Sequence, residues 1–375
     1  MLLHHLLVLP LSLAAILIPP PSGPFKVSLV NQELLDTKRA DPWGFDNIAN
    51  RRIAVSIFSP HKAKQCISSK RIPYMTPAVS SEEDRILGPY EWPVGVLGQL
   101  ELEFCVASPK SKPLDIKQYP LVLFSGGGNT TRFYYSALAS EVASKGYTVI
   151  TIDHPFETDI VEFNDGSIAY GGHYSARKNL TFAETAISVR AADMSFVLDV
   201  FGLTDRKKDR ALAFGHSFGG AATAEAMRTD SRIRGGVNFD GLLYGPVVKS
   251  GIPKKKDIDQ SFVLFGAQGH NSTEDPDWNS FWSALDKEQV WKRELSLKGG
   301  AHGAFWDLNL IADVADVRGR FGQYTEEDLL SKIPGKRVYE IVVAYLDDFF
   351  QFALAGKKEG LLKGPSKKYP EVEFL

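Results

Sequence analysis

Cysteine is scarce in this chain: 375 residues carry only Cys66 and Cys105. That excludes a disulfide-dense scaffold and leaves room for one bridge at most. An excess of charge is missing too. Lys and Arg number 43, Asp and Glu 45, and the net charge is −2. Such a balance gives no electrostatic footprint for nucleic acid or an anionic membrane. Basic residues gather near Lys254–Lys256 and between Lys357 and Lys368, and they read as a solvated loop and tail. There is no His-x-x-x-His pair and no Cys/His cluster, so neither a metal nor another cofactor is expected. Internal repeats and low-complexity linkers are absent as well.

A membrane-spanning apolar run is also lacking. The N-terminal stretch Leu6 to Ile18 has 13 residues, interrupted by Pro10 and Ser12. It is too short to cross a bilayer and the right length for the core of a secretion signal. The expectation is a leader over residues 1–22, cut between Ala15 and Gly23, although no Lys or Arg precedes it. Two features agree with a secreted protein. The cysteine count permits a Cys66–Cys105 disulfide, and Asn-x-Ser/Thr sequons mark Asn129, Asn179 and Asn271 as glycosylation candidates.

An apolar content of 44% supports a large core. Residues 23–375 read as a single domain, with 23–95 an N-terminal extension and 96–375 the core. Arg52–Ser59 and Gln99–Ala107 alternate apolar and polar residues, as half-buried antiparallel strands do. A polar loop of some forty residues, holding Cys66, separates them. From Pro120 the pattern alternates strand and helix. Strands are expected at Leu121–Phe124, Tyr147–Ile152, Ala211–Phe214, Gly236–Phe239, Phe262–Phe265 and Glu294–Leu297. Helices are expected near Phe133–Lys145, Phe182–Phe201 and Arg337–Leu354. Repeated strand–helix units imply an α/β fold with a mostly parallel, doubly wound sheet. The two early strands would add an antiparallel edge.

The densest chemical signal is Ala211 to Thr223, ALAFGHSFGGAAT. A short apolar strand meets Gly215-His216-Ser217-Phe218-Gly219, and a small-residue helix follows. This is the Gly-x-Ser-x-Gly nucleophile elbow in its strand–turn–helix context. Ser217 must sit on a strained turn to project its hydroxyl above the sheet, and side chains at 215 and 219 would clash there. The alternative is a glycine-rich turn whose serine caps a helix.

A serine hydroxyl needs a base, and the base an orienting carboxylate. On an α/β-hydrolase fold the chain order is serine, acid, histidine. Only His270 and His302 follow Ser217. His302 lies in the small-residue loop directly after the last strand and is favoured, whereas His270 adjoins a sequon and reads as a surface residue. Asp240 ends the Gly236–Phe239 strand, on the functional edge of such a sheet. Asp257, Asp259, Asp275 and Asp277 fall in polar loops. Two backbone donors should form an oxyanion hole: the N–H of Phe218 and one from Ser125-Gly126-Gly127-Gly128-Asn129, with Gly128 chosen.

With these residues placed, the chain resembles the plasma-type and intracellular type II platelet-activating-factor acetylhydrolases. The resemblance rests on Gly-His-Ser-Phe-Gly-Gly-Ala, on PLVLFSGGGNTTRFYYSALASEVASKGYTVITIDH, and on the short step from Ser217 to Asp240. It runs from about Val96 to His302. In that family the glycine loop usually carries His-Gly where this chain has Gly126-Gly127, and an amphipathic lipoprotein-docking helix is not evident here. The resemblance implies an α/β-hydrolase fold and a calcium-independent serine esterase that removes short or oxidised acyl groups from phospholipids. Ser217 would be nucleophile, Asp240 acid and His302 base. The expected partner is a small-molecule ester or phospholipid, with no nucleic acid and no stable membrane span. Rival readings are a general carboxylesterase or polyester hydrolase, and a non-catalytic binding protein on the same fold. The segment Leu242–Gln260 is a candidate partial lid. Trp278, Phe281, Trp282 and Phe305 are candidates for an acyl site, though core packing is the simpler role for each.

Overall fold

The computed structural model describes residues 15–43, 50–108, 118–171, 179–320 and 329–375. Most of the expected leader, residues 1–14, lies outside them. In chain order the first elements are β1 (Ile16–Leu17), β2 (Lys26–Asp36), β3 (Arg51–His61), β4 (Cys66–Pro73), α1 (Pro77–Leu87), α2 (Val96–Gln99) and β5 (Leu100–Ala107). The alternating part continues with β6 (Leu121–Ser125), α3 (Ser136–Ala143), β7 (Thr148–Asp153), β8 (Ile160–Glu162), β9 (Ile168–Tyr170), α4 (Leu180–Val200), β10 (Ala211–His216) and α5 (Phe218–Thr229). It closes with β11 (Ile233–Phe239), α6 (Pro246–Ser250), β12 (Ser261–Ala267), α7 (Pro276–Glu288), β13 (Trp291–Leu297), α8 (Leu308–Val314), α9 (Gly335–Ala355) and β14 (Val372–Phe374).

Nine strands form the central sheet in the order β14-β13-β12-β11-β10-β6-β7-β3-β2. From β13 to β7 every pairing is parallel. β14, β3 and β2 add antiparallel margins. The parallel strands are buried on both faces, which is why they read as near-continuous apolar runs. Their alternate residues feed two cores. Leu121, Leu123, Ala211, Ala213 and Leu264 face α4, α5, α6 and α7. Val122, Phe124, Leu212, Phe214 and Phe265 face α3, α8 and α9. The α/β-hydrolase reading of the sequence therefore holds.

Two local expectations change. Only one of the two early strands joins the main sheet: β3 pairs with β7, and its outer partner is β2. β5 instead pairs with β1 and β4 in a separate three-stranded sheet. β2 carries no strand signature in the sequence because it is an edge strand with mixed burial, so it lacks a clean apolar alternation. The forty-residue polar loop also contains structure, namely β4 and α1. The interior of β4 is almost wholly exposed, so nothing in its composition separates it from a loop. α1 begins at Thr76, whose side chain accepts the Val79 N–H, with Pro77 in the first turn.

Cys66 and Cys105 are disulfide-bonded across the β4–β5 pair, with Cα atoms 5.5 Å apart. Residues 16–22 are built into the fold as well. Ile16 and Leu17 pair with Leu100 and Glu101, Ile18 is buried, and the Ser22 N–H donates to Glu141.

The bridge closes a chain separation of 39 residues. By the loop-entropy relation, Cys66→Ser/Cys105→Ser should lose roughly 3–4 kcal/mol in denaturant unfolding. A double variant as stable as the parent would show that the side sheet holds without its staple.

Candidate active site

The parallel strands end at one rim, and each expected site residue sits there. Ser217 follows β10 at φ 55° and ψ −124°, a region that costs a non-glycine residue energy. The surroundings enforce the turn. A Cβ on Gly215 would lie 2.1 Å from the Gly219 carbonyl oxygen, and one on Gly219 would lie 1.9 Å from that of Ser125. The Ser217 N–H donates to the Phe239 carbonyl at 2.8 Å, tying the turn to β11.

Asp240 follows β11, also at positive φ (55°). It is buried and does not cap a helix. Its Oδ1 accepts the Ala267 N–H at 2.7 Å, and its Oδ2 lies 2.5 Å from His302 Nδ1. Burial works against its ionisation. Hydrogen bonds from His270 and His302, and the charge of those rings, overcome that and hold the carboxyl well below the usual range. Since a carboxylate only accepts, Nδ1 of His302 carries the hydrogen, and in the neutral ring Nε2 is then left with its lone pair.

His270 departs from the surface reading. Its side chain is 20% exposed, and its Nδ1 lies 2.8 Å from Asp240 Oδ1. Its ring packs against Trp278, tilted by 34°, with 4.1 Å between centroids. Burial alone would lower its pKa. The bond and charge of Asp240, with Asp275 beyond, raise it instead. The signal available in the sequence was only its place in the turn after β12, next to the strand that ends in Asp240.

His216, a variable position of the elbow motif, links two loops. Burial, and then the nearby His302, push its pKa down to about 3, so it is neutral. Its Nε2–H donates to the His302 carbonyl at 2.9 Å, because a carbonyl only accepts. Its Nδ1 therefore accepts from Tyr135 Oη at 2.9 Å. Tyr135 Oη in turn accepts the Gly127 N–H at 2.9 Å. The glycine loop and the His302 loop are thus braced through one directional chain.

Ser217, Asp240, His302, Phe218 and Gly128 all line one pocket of about 830 Å³. Apolar walls come from Tyr90, Phe182, Leu242, Tyr244, Trp306 and Leu329. Of the segment expected to overhang the site, only Leu242 and Tyr244 reach the pocket, while Leu243, Val247 and Ile252 are core. Trp278, Phe281 and Phe305 are core too, and Trp282 lies under Lys292. Asn129 lines the pocket, whereas Asn179, which caps α4, and Asn271, in the turn before α7, are not among its lining residues. Among the described residues no cluster suited to a metal ion occurs, and no helix is long and apolar enough to cross a membrane.

The sequence matches the family described as platelet-activating factor acetylhydrolase, isoform II, over residues 91–164 and 189–324. A protein of Arthroderma benhamiae, named probable 1-alkyl-2-acetylglycerophosphocholine esterase, is 40% identical over 96% of this chain and 94% of its own. The chain belongs to the platelet-activating factor acetylhydrolase family. A family member from Cavia porcellus is 25% identical over 58% of this chain and 56% of its own. A ferulic acid esterase from Streptomyces cinnamoneus superposes with a TM-score of 0.76 at 27% identity, over 96% of this chain and all of that one. Like these relatives, the chain is an ester hydrolase with the α/β-hydrolase architecture.

Replacing His270 by Phe would keep a ring over Trp278 and remove one donor to Asp240. Losing a donor to the charged form raises the Asp240 pKa. The stability it supplies, present above the unfolded value near 3.9 and lost as pH falls through the folded one, would then be lost at higher pH. The acid limb of kcat/KM should move upward, and turnover at pH 7 should fall about tenfold, as for one hydrogen bond to a charged group. A profile superimposable on the parent's would show His270 to be a bystander.

Proposed function

We propose that this protein is a secreted serine esterase of the acetylglycerophosphocholine type, acting through Ser217, Asp240 and His302 and an acyl-enzyme. One observation carries the mechanism. Three side chains from the ends of β10, β11 and β13 meet in one pocket, in the order serine, acid, histidine. The substrate class rests on the 40% identical relative, which shares nearly the whole chain.

Each step follows from the donor inventory. His302 Nε2 takes the Ser217 proton as Oγ attacks the ester carbonyl. The tetrahedral oxyanion accepts from the N–H groups of Phe218, in the first turn of α5, and Gly128. Proton transfer from His302 Nε2 expels the alcohol and leaves the acyl group on Ser217. Water, deprotonated by the same nitrogen, then attacks and releases the acid. Asp240 holds the tautomer and stabilises the imidazolium.

A second reading is favoured by the ferulic acid esterase likeness and by a pocket far larger than an acetyl group. It is a broader carboxylesterase that accepts bulky alcohol or acyl parts. Acyl series from acetyl to palmitoyl, on glycerophosphocholine and on p-nitrophenol, separate the two. The acetylhydrolase reading expects a steep fall beyond short acyl groups and retained rates on the phospholipid. Equal rates on simple esters with none on the phospholipid would favour the carboxylesterase.

Ser217→Ala should lose at least about 10⁴-fold in kcat on p-nitrophenyl acetate, together with fluorophosphonate labelling, at unchanged circular dichroism. Full activity in that folded variant would end the proposal.

Secretion is read from the leader, the disulfide and the sequons at Asn179 and Asn271. Because Ile16–Ile18 fill a place in the fold, the leader should end just before Ile16. N-terminal sequencing of protein exported by a eukaryotic host is expected to start within a few residues of Ala15. A start at Gly23 would mean that β1 is dispensable.

A further inference from the structure

The glycine loop after β6 has no side chain of its own to hold it, yet it must present one N–H to an oxyanion. We propose that Arg190 is the positioning residue that sets this hole, by gripping two successive carbonyls of the loop. The inference rests on the reading of Ser217 and Gly128 given above.

Arg190 projects from α4 and is 1% exposed. Its Nη1 donates to the Gly126 carbonyl at 2.6 Å and to Ser125 Oγ at 3.3 Å. Its Nη2 donates to the Gly127 carbonyl at 3.3 Å, and its Nε to Glu157 Oε2 at 2.9 Å. The guanidinium also lies against the Phe218 ring, 4.8 Å from its centroid. One planar fork therefore touches the loop, the residue after the elbow serine and a buried carboxylate.

The consequence follows from peptide geometry. In a planar trans peptide the C=O and the next N–H point in opposite directions. With the Gly126 carbonyl on Arg190, the Gly127 N–H must point away, and it does so, onto Tyr135 Oη at 2.9 Å. With the Gly127 carbonyl on Arg190, the Gly128 N–H must likewise point away from the guanidinium. That N–H has no protein partner among the described residues. Gly128 comes close to Phe218, since a Cβ built on Gly128 would lie 3.6 Å from that of Phe218. Of the two central loop donors, one is consumed by Tyr135 and the other is left for a developing oxyanion.

The fork is held in its turn. Glu157 sits opposite Nε, and Ser125 Oγ, which Nη1 reaches, donates to His154 Nε2 at 3.0 Å. His154 Nδ1–H donates to Asp193 at 2.8 Å. A lysine at 190 would bring the charge without the fork and could not fix two carbonyls in one plane.

The test compares Arg190→Lys with the parent on p-nitrophenyl acetate. The expected result is a fall in kcat of about 10²-fold, the usual effect of losing one oxyanion donor, with KM within threefold. Affinity for a trifluoromethyl ketone, whose adduct places an oxyanion in the hole, should fall by the same factor. Affinity for the product alcohol should not move, although a merely structural defect would weaken both. If Arg190→Lys fails to fold, Arg190→Met/Glu157→Gln removes the buried pair together and should show the same split. A kcat within threefold of the parent in either folded variant would overturn the role of Arg190. Should Ser217→Ala keep its activity, the underlying reading fails instead, and the two outcomes are distinguishable.

Discussion

A single carboxylate organises the rim of the sheet. Asp240 leaves β11 in a left-handed turn and enters an environment with little water. Its oxygens must be satisfied by protein, and the donors come from other segments: Ala267 at the end of β12, His270 just after it, and His302 after β13. Three crossovers are thereby locked to one point. An isolated buried charge would be intolerable, so each donor that arrives makes the next geometry more exacting. That pinning places the His302 ring in the same pocket as the elbow serine.

Beneath the glycine loop lies a second polar layer. Arg51 pairs with Asp41 and Asp193, Asp193 holds His154, and Arg190 pairs with Glu157. Burial, and then Arg190, push the His154 pKa down to about 4, while burial lifts that of Glu157 to about 7. Buried pairs of this kind are weak evidence for stability. Here they fall under the loop that must be rigid, and every contact they make to it is directional. The layer draws on β3, α4 and the turn after β7, so the early edge of the sheet takes part in shaping the pocket.

How far the sequence could be read depended on the type of signal. Buried parallel strands such as Leu121–Ser125 and Ala211–His216 are continuous apolar runs, and they were legible as such. The elbow was legible because its glycines answer to a local clash, visible as strand, turn and helix. β2 and β4 were not, because an edge strand and an exposed strand carry no periodic apolar face. β5 alternated correctly but gave no hint of which sheet it would join, since pairing partners are chosen by tertiary packing. Arg190 sits on a helix whose apolar spacing predicts core, and one arginine among those positions carries no local mark of its task. His270 reads as a surface residue beside its sequon, and only the fold reveals the carboxylate it faces.

The strand–helix alternation, the elbow and the order Ser217, Asp240, His302 were determined by the sequence alone, because each is a short-range pattern with a local physical cause. Tertiary structure alone decided that Asp240 serves two histidines, that His216 splints two loops and that Arg190 grips the glycine loop. Those are contacts between residues 29 to 86 positions apart, brought together only when the strands align. Hydrogen bonding across such distances is written in no local run of residues. It appears when burial removes water and leaves each polar group to find the partner that the packing supplies.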